Sequence, residues 1–421
     1  MNDVSFLIIS EDSPASFSPA GERARYLALA CSSISRSVAV LTLRGEQSKD
    51  ECGKWSQSSA LLYSVNFSRG MLFPISAFFD PIRFLVFFVY GVVLCRRFKA
   101  SHIVALMPPI ETGASAFFLV KFLRRRLIVD LMDDWEAYLE SNLTRYIPLF
   151  LLKQLFKIAN MIYSSSIGIL TVTSTIARAV NRRNVVVPTV LAPMGTSTSV
   201  FFPRGEKSRR KIRLRYSLPL NKIVIAYCGS GVAPYYRLDK ILLAAKSLPI
   251  DAKRRIFLVF YLYSGVDHYK KLKDQLMIPD DIVQIRGPLA RCDLSEVIGA
   301  CDVGLLPFDD LQYLLCARST KLYEYLSSGL YVVSSGPKGG ELDLFFSKNP
   351  HCGIFIKPRV EKFSEAFIAV LDNCERLIKE DNRFARFSLI KKGYESKEVL
   401  KKNITRLLGF EICKHSERND L

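Results

Sequence analysis

One twelve-residue segment combines basic, hydroxyl and acidic side chains in a pattern that suits phosphate binding. It reads Arg318-Ser319-Thr320-Lys321-Leu322-Tyr323-Glu324-Tyr325-Leu326-Ser327-Ser328-Gly329. Ser319 and Thr320 are favoured at a helix start and Gly329 at a helix end, so we predict a short helix between them. The start of a helix presents unpaired N–H groups and a partial positive charge, which suit a diphosphate. Arg318 and Lys321 would add formal charge beside it.

Glu324 lies about one turn into this predicted helix. A carboxylate there could accept hydrogen bonds from the hydroxyl groups of a ribose. A solvated surface helix with a charged face explains the same residues equally well, and spacing alone does not decide between the two interpretations.

The elements that would position this segment alternate between strands and helices. Short apolar runs typical of buried strands occur at residues 4–9, 37–42, 102–106, 127–131 and 168–172, and again at 222–227, 256–261, 282–285 and 303–306. Helical patterns or turn residues separate them. This alternation predicts α/β architecture with parallel sheets that are covered on both faces.

The chain of 421 residues is long enough for two domains. We predict a first domain over residues 1–200, a basic linker at 201–218 and a second domain over 219–395. Residues 396–421 would form a helix that can pack back on the first domain, followed by a polar tail. Two such halves leave a cleft, and open parallel sheets bind ligands at the carboxyl ends of their strands.

Several segments together resemble glycosyltransferase family 4 and its relatives. The core of the resemblance is Asp302-Val303-Gly304-Leu305-Leu306-Pro307-Phe308, followed by Lys321-Leu322-Tyr323-Glu324-Tyr325-Leu326 and by residues 329–333. Further matches keep the family's order at residues 18–25, 129–135, 172–174, 193–203, 227–231 and 285–287. The resemblance covers roughly residues 4–360, and the order of the segments is more specific than any one of them.

The resemblance implies a GT-B fold, in which two Rossmann-like, doubly wound parallel-sheet domains face a central cleft. The first would bind the acceptor and the second the nucleotide sugar. It also implies a retaining, hexosyltransferase-like enzyme that moves a sugar from a nucleotide-diphosphate sugar to a glycan or a lipid-linked acceptor. Synthesis of a polysaccharide or another cell-surface glycan is the expected setting, with no cofactor and no metal.

Carried over by position, the family's donor site falls on matching residues here. Glu324 matches the glutamate that binds ribose, and the residues around the diphosphate match Arg318, Ser319, Thr320 and Lys321. Arg237 falls where the family has a phosphate-binding lysine, after the glycine turn at Gly229. The backbone of residues 287–289, with Gly287 and Leu289, would face the base. Gly21 lies in the N-terminal glycine loop near the acceptor.

The resemblance places Asp133 at a strand end beneath the transferred sugar, where the family often has a histidine. There it could hold a sugar hydroxyl or stabilise positive charge that develops on the anomeric carbon. Helix capping explains one carboxylate of this run without any catalytic role, and Asp134 could exchange roles with Asp133. Neither these residues nor Asp309 and Asp310 predict a metal site.

Three departures from the family pattern bear on activity. The first glutamate of the family's pair is Cys316 here, the arginine expected after the glycine turn is Ser230, and the polar residues of the interdomain turn are Met194 and Ser197. In the family the first glutamate normally contacts the donor sugar, so its loss leaves the identity of that sugar undecided. It also motivates an alternative, a non-catalytic GT-B subunit that binds a glycan or a partner enzyme. A nucleotide-sugar epimerase on the same fold is a third hypothesis, although the sequence offers few histidines for acid/base chemistry.

The net charge and the cysteine content limit which classes of partner and which cellular compartment we expect. The net charge of +19 indicates anionic partners, but no nucleic-acid-binding module is present and no nucleic acid is expected. The ten cysteines have no metal or disulfide spacing, and the N-terminus lacks the basic start of a signal peptide. We therefore expect a cytoplasmic protein.

Apolar runs in the first half suggest contact with a membrane surface. Residues 84–95 are too short to span a bilayer as a helix and are followed by Arg96, Arg97 and Lys99. Residues 71–79 are rich in phenylalanine, and residues 146–161 are apolar apart from a thin polar stripe. An ordinary core helix explains such runs as well. The membrane interpretation predicts peripheral binding to anionic lipid on the inner face of the cell membrane.

Overall fold

A computed structural model describes residues 4–14, 16, 18–44, 60–65, 79–143, 148–183 and 185–419. The chain divides into two compact units. The first comprises Met1–Pro193 together with Ser396–Leu421, and the second comprises Met194–Glu395. The divisions therefore fall at 193 and 395, whereas the sequence suggested boundaries at 200, 218 and 395.

The first unit contains a seven-stranded sheet in which every neighbouring pair is parallel. Its strands are β1 (Ser5–Asp12), β2 (Ser37–Arg44), β3 (Ala60–Ser64), β4 (His102–Met107), β5 (Arg126–Leu131), β6 (Gly168–Thr171) and β7 (Thr189–Leu191). Its helices are α1 (Pro19–Ser32), α2 (Pro81–Arg97), α3 (Ile110–Leu123), α4 (Trp135–Leu143), α5 (Leu149–Ser164) and α6 (Ser174–Asn181). The strand order is β3-β2-β1-β4-β5-β6-β7, so the order reverses between β1 and β4.

The last helix of the chain, α17 (Ser396–Asn419), belongs to this first unit and packs against α1. Leu400, Ile404 and Leu407 recur at helical spacing and are fully buried. They share a core with alternate residues of the strands, such as Phe6 and Ile8 on β1. The end of the chain thus completes the core on one face of the first sheet.

A buried ion pair joins α1 to β5 in the first unit. Arg23 donates hydrogen bonds of 2.7 and 2.8 Å to the two carboxylate oxygens of Asp130. The same guanidinium donates to the carbonyl oxygens of Ala192 and Pro193 at 2.9 and 3.1 Å. Because both charges are buried and fully paired, removing one partner would leave the other uncompensated.

Replacing Arg23 with leucine should therefore lower the free energy of unfolding by about 3–5 kcal/mol. Urea denaturation would measure this loss. The double variant Arg23→Leu/Asp130→Leu should recover most of it, because no buried charge is left. Arg215→Leu, which removes the solvent-exposed pair with Glu296, should cost less than about 1 kcal/mol. An Arg23→Leu protein as stable as the parent would show that the pair is not needed for folding.

The second unit contains a six-stranded sheet, also with parallel pairs throughout. Its strands are β8 (Ile223–Ser230), β9 (Ile256–Ser264), β10 (Val283–Arg286), β11 (Val303–Pro307), β12 (Tyr331–Ser335) and β13 (Gly353–Ile356). Its helices are α7 (Glu206–Arg215), α8 (Leu238–Ser247), α9 (Ile250–Arg255), α10 (Val266–Gln275), α11 (Arg291–Ala300), α12 (Thr320–Ser327), α13 (Glu341–Lys348), α14 (Val360–Asp372), α15 (Cys374–Ile378) and α16 (Glu380–Gly393).

The strand order of this second sheet is β10-β9-β8-β11-β12-β13. The order reverses between β8 and β11, which makes a topological switch point of the kind where open α/β sheets bind ligands. Both sheets confirm the predicted α/β class with two doubly wound parallel sheets.

Residues 201–218, for which the sequence suggested a linker, contain α7 and belong to the second unit. The reason is a long-range ion pair that the local sequence does not reveal. Arg213 donates to Asp302 at 2.6 Å, and Arg209 pairs with the other oxygen of the same carboxylate. Asp302 also accepts a hydrogen bond of 2.8 Å from the N–H of Val224. The basic stretch is thereby fixed to the start of both central strands.

Two of the apolar runs in the first half lie on helices, residues 84–95 on α2 and residues 149–161 on α5. Of the phenylalanine-rich run, residues 71–78 lie outside the described residues. Within the parts of the chain that the structure describes, no helix is long and apolar enough to cross a membrane.

Candidate functional site

The helix predicted from the sequence is α12, and it begins at the carboxyl end of β11, beside the switch point of the second sheet. Ser319 is its N-cap, and the Ser319 hydroxyl accepts a hydrogen bond of 3.3 Å from the N–H of Lys321. The hydroxyl of Tyr325 accepts one of 3.0 Å from the N–H of Cys228 on β8. Tyr325 also packs directly over Gly304, where no side chain would fit. These contacts fix the start of α12 against the two central strands.

The ammonium group of Lys321 lies among aromatic rings. Its Nζ donates to the hydroxyl of Tyr236 at 3.2 Å, and it sits 5.0 Å from the centroid of that ring and 6.0 Å from that of Tyr227. Burial lowers the pKa of Lys321, but interactions with Tyr236 and the Glu324 carboxylate outweigh it, so the pKa is raised. Lys321 therefore stays charged at neutral pH.

Gly229, near the end of β8, leaves the space that Lys321 occupies. A Cβ atom at Gly229 would overlap Cε of Lys321 and lie 3.0 Å from its Nζ. The absence of a side chain therefore allows the lysine to cross the carboxyl end of β8. The structure brings together three of the predicted donor-site residues here, Gly229, Lys321 and Glu324.

Thr320 and Glu324 share the first turns of α12 with Lys321. Thr320 is the first helical residue, and both side chains are partly exposed. Glu324 lies close enough to raise the pKa of Lys321 by its charge. A carboxylate and an ammonium group on adjacent turns can bind hydroxyl and phosphate groups of one ligand.

The Arg237 guanidinium is held by two carboxylates. It donates to Asp239 at 2.7 and 3.0 Å and to Asp309 at 2.8 Å. The hydrogen bond to Asp239, followed by the one to Asp309, raises the pKa of Arg237 despite partial burial. A phosphate at this point would compete with both carboxylates. Arg237 is therefore less available to a phosphate than the lysine at the start of α12.

Arg318 lies just before α12 but points to a neighbouring helix. Its Nη2 atom pairs with Oε2 of Glu341 at 2.7 Å, and its guanidinium carbon is 5.4 Å from the ring centroid of Phe345. Glu341 is the first residue of α13. The arginine thus ties α13 to the segment that precedes α12.

The two remaining donor-site predictions lie in a loop of the second unit. Gly287 and Leu289 lie between β10 and α11, the glycine exposed and the leucine partly buried. Cys316, where the family has a glutamate, ends a 3-10 helix and its thiol donates to the carbonyl oxygen of Tyr313 at 3.3 Å. The Ser230 hydroxyl is 2.9 Å from that of Ser264. Cys316 and Ser230 therefore do not supply the charges that the family's glutamate and arginine would carry at these positions.

In the first unit, the two carboxylates after β5 have different environments. Asp134 accepts a hydrogen bond of 3.2 Å from the N–H of Ala137, as an N-cap of α4 does. Asp133 is exposed over much of its surface, but it also lines the small cavity described below. Desolvation of its carboxyl on that side, followed by the charge of Asp134, raises its pKa to about 6. The capping role predicted for one carboxylate thus falls on Asp134 and not on Asp133.

A buried polar network holds the loop that carries Asp133. The indole N–H of Trp135 donates to the hydroxyl of Tyr163 at 3.1 Å, and that hydroxyl donates to Glu136 at 3.3 Å. Glu136 also pairs with Arg183, and burial raises its pKa to about 7. These residues, with Asp133 and Asp134, line a cavity of about 10 Å³, which is room for about one water molecule.

Gly21 is buried in the first turns of α1. A side chain there would overlap the hydroxyl of Ser16 and the carbonyl oxygen of Ser13, so the glycine permits the preceding loop to fold over the helix. Its N–H donates to the hydroxyl of Ser18 at 3.0 Å, and that hydroxyl donates to Asp12 at 2.6 Å. The glycine shapes the loop, and its acceptor role stays a prediction.

Sequence reasoning missed two parts of these sites. The rings around Lys321 belong to Tyr227 and Tyr236, which are far from it in sequence. Their only sequence signal is the tyrosine-rich segment in which they lie. Glu136 has the sequence context of an ordinary first-turn acid of α4, and no local pattern sets it apart. Among the described residues, no group of three histidine, cysteine or acidic side chains could hold a metal ion.

No family model matches the chain, and no curated protein matches it either. Solved structures do match the chain in fold. Sucrose-phosphate synthase from Thermosynechococcus elongatus is 14% identical, with a TM-score of 0.69 over 98% of this chain and 100% of that one. HepE from Anabaena, in complex with UDP, is 12% identical, with a TM-score of 0.68 over 96% of this chain and 99% of that one.

A putative UDP-N-acetylglucosamine 2-epimerase from Listeria monocytogenes is also similar. It is 10% identical, with a TM-score of 0.60 over 98% of this chain and 97% of that one. At such identities the likeness shows the fold alone: the chain has the two-domain α/β architecture of the GT-B type, as predicted. Because proteins described as a synthase and as an epimerase share this fold, the reaction has to be argued from the site.

Proposed function

We propose that the protein is a retaining glycosyltransferase that moves a sugar from a nucleotide-diphosphate sugar to a glycan or a lipid-linked acceptor. The observation that carries this proposal is the start of α12 at the switch point of the second sheet. There Lys321 crosses the end of β8 at Gly229 and has Glu324 one turn behind it. A helix start with a partly enclosed ammonium group is a site for a diphosphate.

A uridine nucleotide is the first donor to consider. Two solved structures of similar fold contain HepE with UDP, one of them with glucose as well. We therefore propose a UDP-sugar as the donor class to test before others, with the base against residues 287–289.

In the proposed reaction the bond between the anomeric carbon and the diphosphate oxygen breaks, and the diphosphate leaves with the electron pair. Lys321 and the N–H groups of residues 319–321 would stabilise the growing negative charge. Asp133, when ionised, would stabilise positive charge on the sugar. The acceptor oxygen bonds to the same face of the anomeric carbon and transfers its proton to the departing diphosphate oxygen. Glu324 would hold the ribose hydroxyls, and Gly21 would shape the acceptor loop.

Synthesis of a cell-surface glycan or polysaccharide in the cytoplasm is the setting that we propose. A lipid-linked acceptor on the inner face of the cell membrane fits the basic charge of the chain, which is +19. No metal or cofactor is part of the proposed reaction.

The experiment is a transfer and hydrolysis assay with a panel of UDP-, GDP- and ADP-sugars. One donor should be turned over, and Glu324→Gln should lower kcat/KM for it about 10- to 100-fold, because a hydrogen bond to a charged group is lost. Glu361→Gln, on the exposed start of α14, is the matched control and should behave as the parent does. A Glu324→Gln enzyme with unchanged kcat/KM would contradict the ribose assignment.

The loss of the family's first glutamate to Cys316 favours one alternative, a non-catalytic subunit that binds a glycan or a partner enzyme. Calorimetry that detects no nucleotide binding by the folded protein would support it. An epimerase is distinguished by its product, because it would convert a UDP-sugar in the absence of any acceptor. Transfer that requires an acceptor would exclude both alternatives.

A further inference from the structure

Three helices of the first unit, α2, α3 and α5, expose an apolar surface that we call the three-helix face. Helix α3 packs against both of the others. The exposed apolar side chains include Leu85, Val89 and Val93 on α2, Phe118 and Phe122 on α3, and Ile158 on α5. Single exposed apolar residues are common, but a continuous apolar area on neighbouring helices marks an interaction surface.

Helix α2 is apolar on both its inner and its outer side. Its inner side buries Phe87 and Leu94 in the unit. Its outer side exposes Leu85 at 56% and Val93 at 54%, although a surface helix normally carries polar residues there. Packing among the described residues of the unit therefore does not account for the outer stripe.

Aromatic contacts hold α2 and α3 side by side. Phe84 lies 5.6 Å from Phe118, and Phe88 lies 6.2 Å from Phe122, measured between ring centroids. Phe88 lies one turn beyond Phe84 on α2, and Phe122 lies one turn beyond Phe118 on α3. The two helices therefore run in the same direction, and their last turns lie towards the same end of the face. Phe122 remains 62% exposed.

That end of the three-helix face is basic. Exposed Arg96 and Arg97 end α2, and exposed Lys121, Arg124 and Arg125 end α3 or follow it. The only acidic residue in the three helices is Glu111, which is 3% exposed and therefore adds no negative charge to the surface. The face thus pairs apolar side chains with positive charge alone.

We propose that the three-helix face docks on a bilayer that contains anionic lipid. Its apolar side chains would enter the boundary between headgroups and acyl chains, and its basic end would contact the headgroup phosphates. A second copy of the chain is a poorer occupant, because its own three-helix face has no exposed acidic side chain on these helices to pair with the basic end. This inference does not depend on the proposed sugar transfer.

The test is flotation of the full chain with phosphatidylcholine vesicles, with and without phosphatidylglycerol. The protein should float with the anionic vesicles and not with the neutral ones. Arg96→Gln/Arg125→Gln should weaken partitioning about 25-fold, or about fivefold for each arginine. Leu85→Ser/Phe122→Ser should weaken it at least about tenfold.

Matched controls lie on the second unit. Ile250→Ser removes a side chain that is 68% exposed, and Arg254→Gln removes an exposed arginine; neither should change flotation. Circular dichroism would show that all variants are folded. The proposal is overturned if the parent does not float with anionic vesicles or if the face variants float as it does. It is equally overturned if sedimentation shows a dimer that the face variants dissociate.

Discussion

Replacing Lys321 with alanine should lower kcat/KM for the donor about 100-fold, the usual effect of removing one group that stabilises a charged transition state. The reason is the position of its ammonium group, beside Gly229 and against the ring of Tyr236. The two other cations predicted for the donor site do not replace it, since Arg237 and Arg318 are each engaged by carboxylates. Steady-state kinetics with the donor found in the panel would measure the loss.

The control for this variant is Lys348→Ala, an exposed lysine in the last turn of α13 that should leave kinetics unchanged. Gly229→Ala gives an independent check, because its methyl group would displace Lys321 without removing the charge. Both Lys321→Ala and Gly229→Ala should weaken binding of a nucleoside diphosphate. A Lys321→Ala enzyme with normal kcat/KM would show that the diphosphate binds elsewhere.

The second large effect concerns Asp133 and the pH dependence of kcat. Desolvation and the charge of Asp134 raise the pKa of Asp133 to about 6. If the ionised carboxylate stabilises the sugar cation, kcat should fall as pH drops through about 6, because Asp133 then takes up a proton. Asp133→Asn should lower kcat about 100-fold at neutral pH and remove this acid limb.

Asp134→Asn tests whether the charge of Asp134 contributes to the raised pKa of Asp133. Asparagine can still cap α4, so the fold should be kept. Removing the negative charge of Asp134 should lower the pKa of Asp133 and move the acid limb to lower pH. An acid limb that stays in place in Asp133→Asn would assign it to another group, and Glu136, with a pKa of about 7, would be the next to test.

The sequence was sufficient for the two parallel sheets and for α12. Apolar runs bounded by turn residues predict strands because buried parallel strands are apolar on both faces. Ser319 and Gly329 mark the ends of α12 because capping is a local interaction. These features depend on neighbours in the chain, so a single sequence reveals them.

Long-range ion pairs were not predictable in the same way. Arg213 and Asp302 convert a supposed linker into part of the second unit, although 89 positions separate them. Arg237 was placed at a phosphate by the resemblance alone; one of the carboxylates that hold it, Asp239, is only two positions away, but the other, Asp309, is 72 positions away. The aromatic surroundings of Lys321 come from β8 and the loop after it. Which side chains meet depends on the strand order, and no local pattern contains that information.

The most direct test of the central claim is a crystal structure of the chain with the nucleoside diphosphate that it binds. We expect diphosphate oxygens within hydrogen-bonding distance of the backbone N–H groups at the start of α12 and of Lys321 Nζ, with the ribose hydroxyls on Glu324. A nucleotide bound away from α12, with Lys321 and Glu324 making no contact to it, would contradict the proposed donor site.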